Sequence, residues 1–491
     1  MSGALHRAVL KTRRVPGLEA LYRGAYAAAC ALSSRALGGL PGISGVYLHR
    51  GLTRQGWEPG VSDIDLILLR EEADEGGLPA LAARLKTLRR LLPMLGDLWL
   101  GSPEEVCAYL RWGGLRAWED APDWKLLRGR GVDAPALEES PLKRRWLDPW
   151  AWLFVSHMEL SRRYFAEGEA DLEKREADLR KMYWEVVRYS DFILAEGDAA
   201  PRTRAQAALR APAALSAREL WLDSSLRLGW ASRLVLEKTA SAETSAAELP
   251  APPLQRREGL RRLLAESGGR CVVSDMPYHT YLILAEGADA GDYGRAAAAV
   301  FKERPAGVAL VLEPSAWALA LQSSYLGAPL GWLGSGGGVA SAAGEALFPG
   351  WGAGVVGEEL GPLPLLPARL RWESAAEAAS WMLLWWRILW ISPGWSNRFV
   401  LYHLYTRALG LRLLLAGEAS GPFCDWELLL ARLTSLLPEH RRFLIRTRSL
   451  LLGARPQALG ATLRGELSAE HPEALARLMG GLRESLARPP C

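Results

Sequence analysis

Residues 62–70, with the sequence SDIDLILLR, place two aspartates at the start of a run that is otherwise apolar. Because alternate residues of a β-strand point to the same face, Asp63 and Asp65 are predicted to share one face of a strand. Two neighbouring carboxylates repel each other and resist burial. A strand of this kind therefore predicts a polar site at its start rather than a purely structural core strand.

The segments around this strand alternate between helical and strand-like patterns. Ser102 and Glu105 form a capping box, which predicts the start of a helix directly after a short apolar segment. Strands that alternate with helices predict an α/β unit. The elements predicted on either side are helix 16–38, strand 43–49, strand 62–70, helix 78–92 and strand 94–101.

The length of 491 residues exceeds one usual hydrophobic core and predicts further domains. Residues 239–253, rich in Ala, Ser, Glu and Pro, are predicted to be a linker, and the Gly- and Pro-rich residues 326–367 an irregular connection. No internal repeat is evident in the sequence. The predicted domains are an α/β domain with an N-terminal helix (1–130), a helical domain (140–240), a small second α/β region (254–330) and a mainly helical C-terminal domain (368–491).

Charge, cysteine and hydropathy patterns exclude several classes of protein. The net charge is +4 and the longest basic cluster is Lys143–Arg145, so no nucleic-acid footprint stands out. The five cysteines lie far apart without a CxxC pair, which indicates neither a zinc site nor a disulfide framework and favours a cytoplasmic location. The most apolar segment, 380–391, is shorter than the roughly 20 residues of a membrane span and contains Arg387, so it is predicted to be a buried helix.

The chemistry of the aspartate pair points to a divalent cation. Two carboxylates on one strand face offer the hard oxygen ligands suited to Mg²⁺ or Mn²⁺ and leave room for phosphate oxygens. A strand that ends in a glycine-containing loop, here at Gly51, lets backbone N–H groups approach a phosphate closely. A third carboxylate on a neighbouring strand would complete a two-metal site or accept a proton. Asp97 is the candidate for that third carboxylate.

Residues 46–70 resemble the signature of the polymerase-beta-type nucleotidyltransferase superfamily, in which a Gly-Ser pair follows an apolar strand and precedes Asp-x-Asp in the next one. Gly51 stands twelve residues before Asp63, the spacing of the minimal bacterial nucleotidyltransferases, and the letters SDIDL match their core. The resemblance covers roughly residues 40–130. It implies a small mixed sheet with helices on one side, and metal-dependent transfer of a nucleoside monophosphate from an NTP, expected to be ATP, to an acceptor.

The resemblance also implies roles for individual residues. Asp63 and Asp65 are expected to hold the metal ion, and Asp97 is carried over as the third catalytic and metal-ligating carboxylate. The acceptor is expected to be a small molecule or a protein rather than RNA, because the basic balance is weak. The C-terminal helices are a candidate surface for a protein partner. The residues expected to bind the nucleotide are Gly51, Leu52, Thr53, Arg54 and Ser62.

Two positions depart from the family pattern. Leu52 stands where the family has a phosphate-binding serine, and Gln55 stands where the minimal enzymes often carry arginine. Thr53 and Arg54 lie one place away and are candidates to substitute for them. Three functions remain open. The first is a Mg²⁺-dependent nucleotidyltransferase, and the second is a catalytically weakened protein of the same fold that binds nucleotide or a partner. The third is a two-part nucleic-acid-processing or toxin–antitoxin-like module that uses the C-terminal helices.

Overall fold

The computed structural model of the chain describes most of the first 322 residues and a smaller part of the remainder. The described residues are 8–49 without 10 and 14, then 52, 57, 59–60, 62–71, 77–133, 135–166, 172–194, 215–242, 244–245, 254–275, 279–305, 308–322, 353–358, 362–391, 408, 411, 415, 435 and 472–487.

The first sheet is a four-stranded mixed sheet. Its strands are β1 (Ile43–His49), β2 (Ile64–Arg70), β3 (Leu95–Gly101) and β4 (Lys125–Gly129). The spatial order is β3-β2-β1-β4, with β1 antiparallel to both β2 and β4, and β2 parallel to β3. The predicted strands 43–49, 62–70 and 94–101 are therefore confirmed, whereas β4 has no counterpart among the predicted elements.

Helices cover both faces of this sheet. One face packs against α1 (Leu18–Gly38) and α2 (Leu78–Leu91), and the other packs against α3 (Pro103–Trp112), which α4 (Gly114–Asp120) follows. The resemblance implied helices on one side only, and this expectation is wrong. The reason lies in β2, whose apolar residues continue on both faces and must be covered on both. The Ser102–Glu105 capping box does begin α3, as predicted.

A bundle of three long helices follows the first sheet. These helices are α5 (Asp148–Phe165), α6 (Leu172–Leu194) and α7 (Ala217–Thr239), and they pack on one another. A capping box formed by Ser216 and Glu219 begins α7. The predicted helical character of 140–240 is confirmed for the described part of this segment.

The second sheet also has four strands and is mixed. The elements are α8 (Leu254–Ser267), β6 (Cys271–Asp275), β7 (His279–Ile283), α9 (Ala290–Glu303), β8 (Val308–Leu312), α10 (Pro314–Gln322) and β9 (Ala353–Gly357). The strand β6 is antiparallel to both of its neighbours, β7 and β9, and β7 is parallel to β8. One face of the sheet packs against the helices α8 and α9, and the other contributes to the largest apolar cluster among the described residues.

Two connections predicted to be irregular contain paired backbone. The predicted linker 239–253 contains β5 (Thr244–Ser245), which pairs with β10 (Leu363–Pro364). The predicted connection 326–367 contains both β10 and β9, the edge strand of the second sheet. Both expectations are wrong at these positions, because the backbone N–H and C=O groups of a short Gly-rich or Ser-rich segment can pair with a neighbouring strand without any apolar periodicity.

The helix α11 (Ala368–Ile391) includes the apolar segment 380–391, and residues 380–388 of it are buried, as predicted. It packs on β3 of the first sheet and on the helix α3, and α12 (Pro472–Leu486) packs on it. The largest apolar cluster holds residues from all four predicted domains, for example Trp99, Trp150, Tyr281 and Trp385. Among the described helices, none combines the length and apolarity that crossing a membrane would require.

Candidate active site

The register between β2 and β3 brings the predicted aspartates together. Ile64 pairs with Leu95 and Leu66 pairs with Leu98, so two residues of β3 stand opposite the single residue Asp65. This β-bulge turns the backbone N–H of Asp97 toward Asp65, and it donates a hydrogen bond of 2.8 Å to Oδ1 of that side chain. The start of β2 and the start of β3 therefore form one acidic edge.

Gly96 allows the close approach on which this edge depends. A Cβ atom built at this position would lie 2.5 Å from Cβ of Asp63 and 2.6 Å from Oδ1 of Asp65. Distances of this kind do not occur between real side-chain atoms, so any other residue would push the two aspartates away. The absence of a side chain at Gly96 creates the space in which both carboxylates lie beside β3.

The substitution Gly96→Ala is expected to weaken divalent-metal binding at the acidic edge at least about tenfold, about 1.4 kcal/mol, because the new methyl group displaces both aspartates. Calorimetric titration with Mn²⁺ measures the effect. The matched control is Gly24→Ala in α1, where an added Cβ has nothing within 4 Å, and which should bind Mn²⁺ like the parent protein. Equal affinity in Gly96→Ala and the parent would show that metal does not bind at this edge.

Exposure and charge differ among the three aspartates. Asp63 is exposed, whereas Asp65 and Asp97 are half-buried. Burial lowers the pKa of Arg89 on α2, and the nearby Asp97 carboxylate opposes that shift. The carboxylates of Asp63, Asp65 and Asp97 do not all lie within 4.8 Å of one another. Among the described residues, three acidic side chains come that close together only at another place in the fold. The edge thus presents two carboxylates, with the Asp97 side chain influenced by Arg89.

Tyr26 of α1 holds the segment that leads to Asp63. Its hydroxyl accepts a 3.2 Å hydrogen bond from the N–H of Gly60, and its ring packs edge-on against Trp57 with 5.0 Å between the ring centroids. Burial raises the pKa of Tyr26, and the charge of Asp63 raises it further. The guanidinium of Arg23 lies 4.9 Å from the centre of the Trp57 ring. Sequence reasoning did not single out these residues, although the aromatic Trp57 in a polar loop was a signal.

The expected nucleotide-binding residues are only partly within the described chain. Gly51, Thr53 and Arg54 lie outside the described residues. Ser62 is half-buried and directly precedes Asp63. Leu52 is half-buried and packs against the apolar cluster that also contains Val46, Ile64 and Leu66. Its side chain therefore contacts this apolar core.

A second acidic group, not anticipated from the sequence, lies at Glu139, Asp148 and Glu377. All three are fully buried, and Nζ of Lys143 lies 2.9, 2.5 and 2.8 Å from their respective carboxylate oxygens. Asp148 also accepts a 2.9 Å hydrogen bond from the N–H of Leu115. Because the ammonium group already contacts all three carboxylates, it takes the place that a metal ion would need. We call these four residues the Lys143 cluster.

The Lys143 cluster holds more negative than positive charge. Burial raises the pKa of Glu139 well above its usual range, and the charge of Asp148 adds to this shift. Burial likewise raises the pKa of Asp148 to about 6, against the opposing effect of Lys143. Burial opposes the charge on Lys143, but the three carboxylates outweigh it and raise the pKa of the ammonium group. The cluster connects the segment 139–148, which leads into α5, to Glu377 in α11.

Comparison with protein-family models, with curated proteins and with solved structures finds no match to the chain.

The side-chain oxygens of the acidic edge fit a small divalent cation. Mg²⁺ needs few protein ligands and retains several water or phosphate oxygens. Asp63 and Asp65 supply two carboxylates on one strand face, and Gly96 makes room for both of them beside β3.

Proposed function

We propose that the protein is a Mg²⁺-dependent nucleotidyltransferase that transfers a nucleoside monophosphate from an NTP, with ATP as the expected donor, to an acceptor hydroxyl and releases pyrophosphate. The observation that carries the proposal is the bulge at Gly96 and Asp97, which gathers the aspartates of two neighbouring strands at one edge. The first sheet adds support, since it is small and mixed, as the resemblance implies.

Asp63 and Asp65 would hold the metal ion, which when bound neutralises phosphate charge and polarises the phosphoryl group. Asp63 is the more exposed of the two and is open to an ion shared with a substrate. Asp65 is oriented by the N–H of Asp97, which donates a hydrogen bond to its Oδ1. The Asp97 carboxylate is the proposed acceptor for the proton of the attacking hydroxyl.

The alternative function is a catalytically weakened protein of the same fold that binds nucleotide or a partner. The observation that favours it is the position of Leu52, whose side chain packs into the apolar cluster. A leucine in this position offers no hydroxyl to a phosphate. The loss of one charge-assisted hydrogen bond weakens binding by about 1.5–3 kcal/mol, which is compatible with retained but weaker nucleotide binding.

The substitution Leu52→Ser is expected to strengthen Mg²⁺–ATP binding relative to Leu52→Ala, which serves as its matched control. Both variants lose the same packing against the apolar cluster and are expected to be less stable than the parent protein by about 1–3 kcal/mol. Only serine adds a hydroxyl that can reach a phosphate. Affinities are measured by calorimetry. Equal affinities in the two variants would instead favour a loop in which Thr53 and Arg54 make the phosphate contacts.

The experiment that tests the proposal is calorimetric titration of the full chain with each of the four NTPs, with and without Mg²⁺. Metal-dependent binding of at least one NTP is expected, and incubation with the radiolabelled NTP and candidate acceptors then tests transfer. Metal-dependent binding without transfer to any small-molecule or protein acceptor supports the weakened alternative. Absence of binding under all conditions contradicts the nucleotidyltransferase and the nucleotide-binding form of the alternative, and leaves only a partner-binding protein.

We further propose that the protein is cytoplasmic and that its acceptor is a small molecule or a protein rather than RNA. The C-terminal helices are the proposed surface for any protein partner.

A further inference from the structure

The two sheets have the same topology. In each, the spatial order is third, second, first and fourth strand along the chain, as β3-β2-β1-β4 and as β8-β7-β6-β9. The first strand is antiparallel to the second and to the fourth, and the second is parallel to the third, in both sheets. A helix precedes the first strand, another joins the second to the third, and another follows the third directly. The equivalent helices are α1 and α8, α2 and α9, and α3 and α10.

The equivalence extends to the end of the fourth strand. β4 ends at Gly129, which has a φ of 80° and pairs with Gly45, and the next N–H donates 2.9 Å to the carbonyl of Ser44. A Cβ atom on Gly129 would collide with that carbonyl.

β9 ends in the same way. Gly357 has a φ of 114° and pairs with Cys271, and the next N–H donates 3.0 Å to the carbonyl of Arg270. A Cβ atom on Gly357 would collide with the Arg270 carbonyl. Two sheets that share strand order, strand directions, helix positions and this glycine turn are equivalent units. We call residues 18–239 the first unit and residues 254–486 the second unit.

Each unit packs its own long helices on the sheet of the other unit. The helices α5 and α7, which follow the first sheet, pack on β8 and on α10 of the second unit. The helix α11, which follows the second sheet, packs on β3 and α3 of the first unit. This exchange is reciprocal, so neither sheet is covered on both faces by helices of its own unit alone.

An ion pair to a buried glutamate marks each exchange. Arg387 of α11 donates 2.6 and 3.3 Å hydrogen bonds to Glu105 in the first turn of α3. Arg233 of α7 pairs with Glu313, which directly precedes α10. Both glutamates are fully buried and lie at the start of the helix that follows the third strand of the other unit. The two ion pairs therefore both lie near the start of equivalent helices.

The acidic edge is the feature in which the two units differ. In the first unit, residues 50–63 separate the first two strands and end at Asp63, the first residue of the Asp-x-Asp pair, whereas residues 276–278 make the same connection in the second unit. β7 begins with His279, Thr280 and Tyr281, and its register with β8 continues without a bulge. Within the described residues, the second unit has neither the long loop nor the paired aspartates.

We propose that the protein is a fused pair of equivalent units, in which the second unit carries no acidic edge and acts as the built-in partner of the first. Its contribution to the site is α11. Trp381 and Trp385 of this helix pack on Trp99 with centroid distances of 5.0 and 6.1 Å, two residues after Asp97. The second unit thus supports β3 next to the bulge. This inference uses the proposed function only where metal binding is the readout.

The test uses the full chain with a cleavage site for a sequence-specific protease inserted between Leu249 and Pro250, cut after folding. The two fragments are expected to elute together at the mass of the intact chain and to bind Mn²⁺ with unchanged affinity. Fragments that separate and each unfold cooperatively would overturn the proposal, since independent domains do not need exchanged helices. If the intact chain binds no Mn²⁺, the proposed function fails, while co-elution still decides the reciprocal packing.

The ion pair at Arg387 supplies a second, independent variant. A single Arg387→Met would leave Glu105 buried without its partner, so the double variant Glu105→Gln with Arg387→Met is used, in which glutamine can still accept the hydrogen bond of Ser102. In the cleaved protein, the dissociation constant between the two fragments is expected to be at least tenfold higher for this variant than for the parent protein. The control is Arg262→Met, which removes an exposed pair with Glu303 inside the second unit. Equal release in all three proteins would contradict a role for α11 in joining the units.

Discussion

Asp63→Asn and Asp65→Asn are each expected to lower Mg²⁺–ATP affinity at least about 100-fold, about 2.7 kcal/mol, while the free energy of unfolding stays within about 1 kcal/mol of the parent value. Asparagine keeps the shape of aspartate, and in Asp65→Asn the side-chain oxygen can still accept the hydrogen bond from Asp97 N–H. The substitution removes the charge that a divalent cation requires. It also removes repulsion between the two carboxylates, so the fold should not suffer.

Calorimetric titration with Mg²⁺–ATP measures this effect, and urea titration checks the fold. The matched control is Asp133→Asn, an exposed aspartate beside α3 that should bind nucleotide like the parent protein. A nucleotide affinity that stays at the parent value in both edge variants would remove the metal assignment altogether. A loss in Asp65→Asn alone would instead leave Asp65 as the metal ligand and exclude Asp63.

Lys143→Met is expected to destabilise the protein by about 3–5 kcal/mol. The ammonium group of Lys143 contacts Glu139, Asp148 and Glu377, all fully buried, and its removal leaves three carboxylates with no cation among them. Methionine fills a similar volume, so the loss is electrostatic rather than a cavity. Urea titration measures the change. Lys302→Met is the control, because this exposed lysine pairs with Glu266 at the surface and should contribute less than about 1 kcal/mol.

The pH dependence of unfolding separates charge from packing in the Lys143 cluster. The pKa of Asp148 is raised from 3.8 to about 6 in the folded protein, and that of Glu139 is raised in the same direction. The folded state therefore binds more protons than the unfolded state, and stability from these groups is lost as the pH rises from about 4 through 6. Glu139→Gln should flatten this decline and Lys143→Met should steepen it. The same slope in all three proteins would mean that these carboxylates do not titrate as a group.

Local signals in the sequence determined most of the elements of the first unit. The run SDIDLILLR predicted β2, and the pair Ser102 and Glu105 predicted the start of α3, because strand alternation and helix capping depend on residues close in the chain. The apolar residues of 380–391 predicted a buried helix for the same reason. The proximity of Asp97 to Asp65 was inferred correctly from neighbouring strands, but the bulge that creates the contact could not be predicted.

The sequence by itself thus determined where strands and helices form and which strand carries the acidic pair. Only the tertiary structure decided how these parts combine. The equivalence of the two units has no evident counterpart in repeated letters, since a fold depends on the pattern of buried positions more than on residue identity. The contact between Lys143 and Glu377 joins residues that are 234 positions apart. Charges so distant in the chain leave no local signal, and packing between the units alone brings them together.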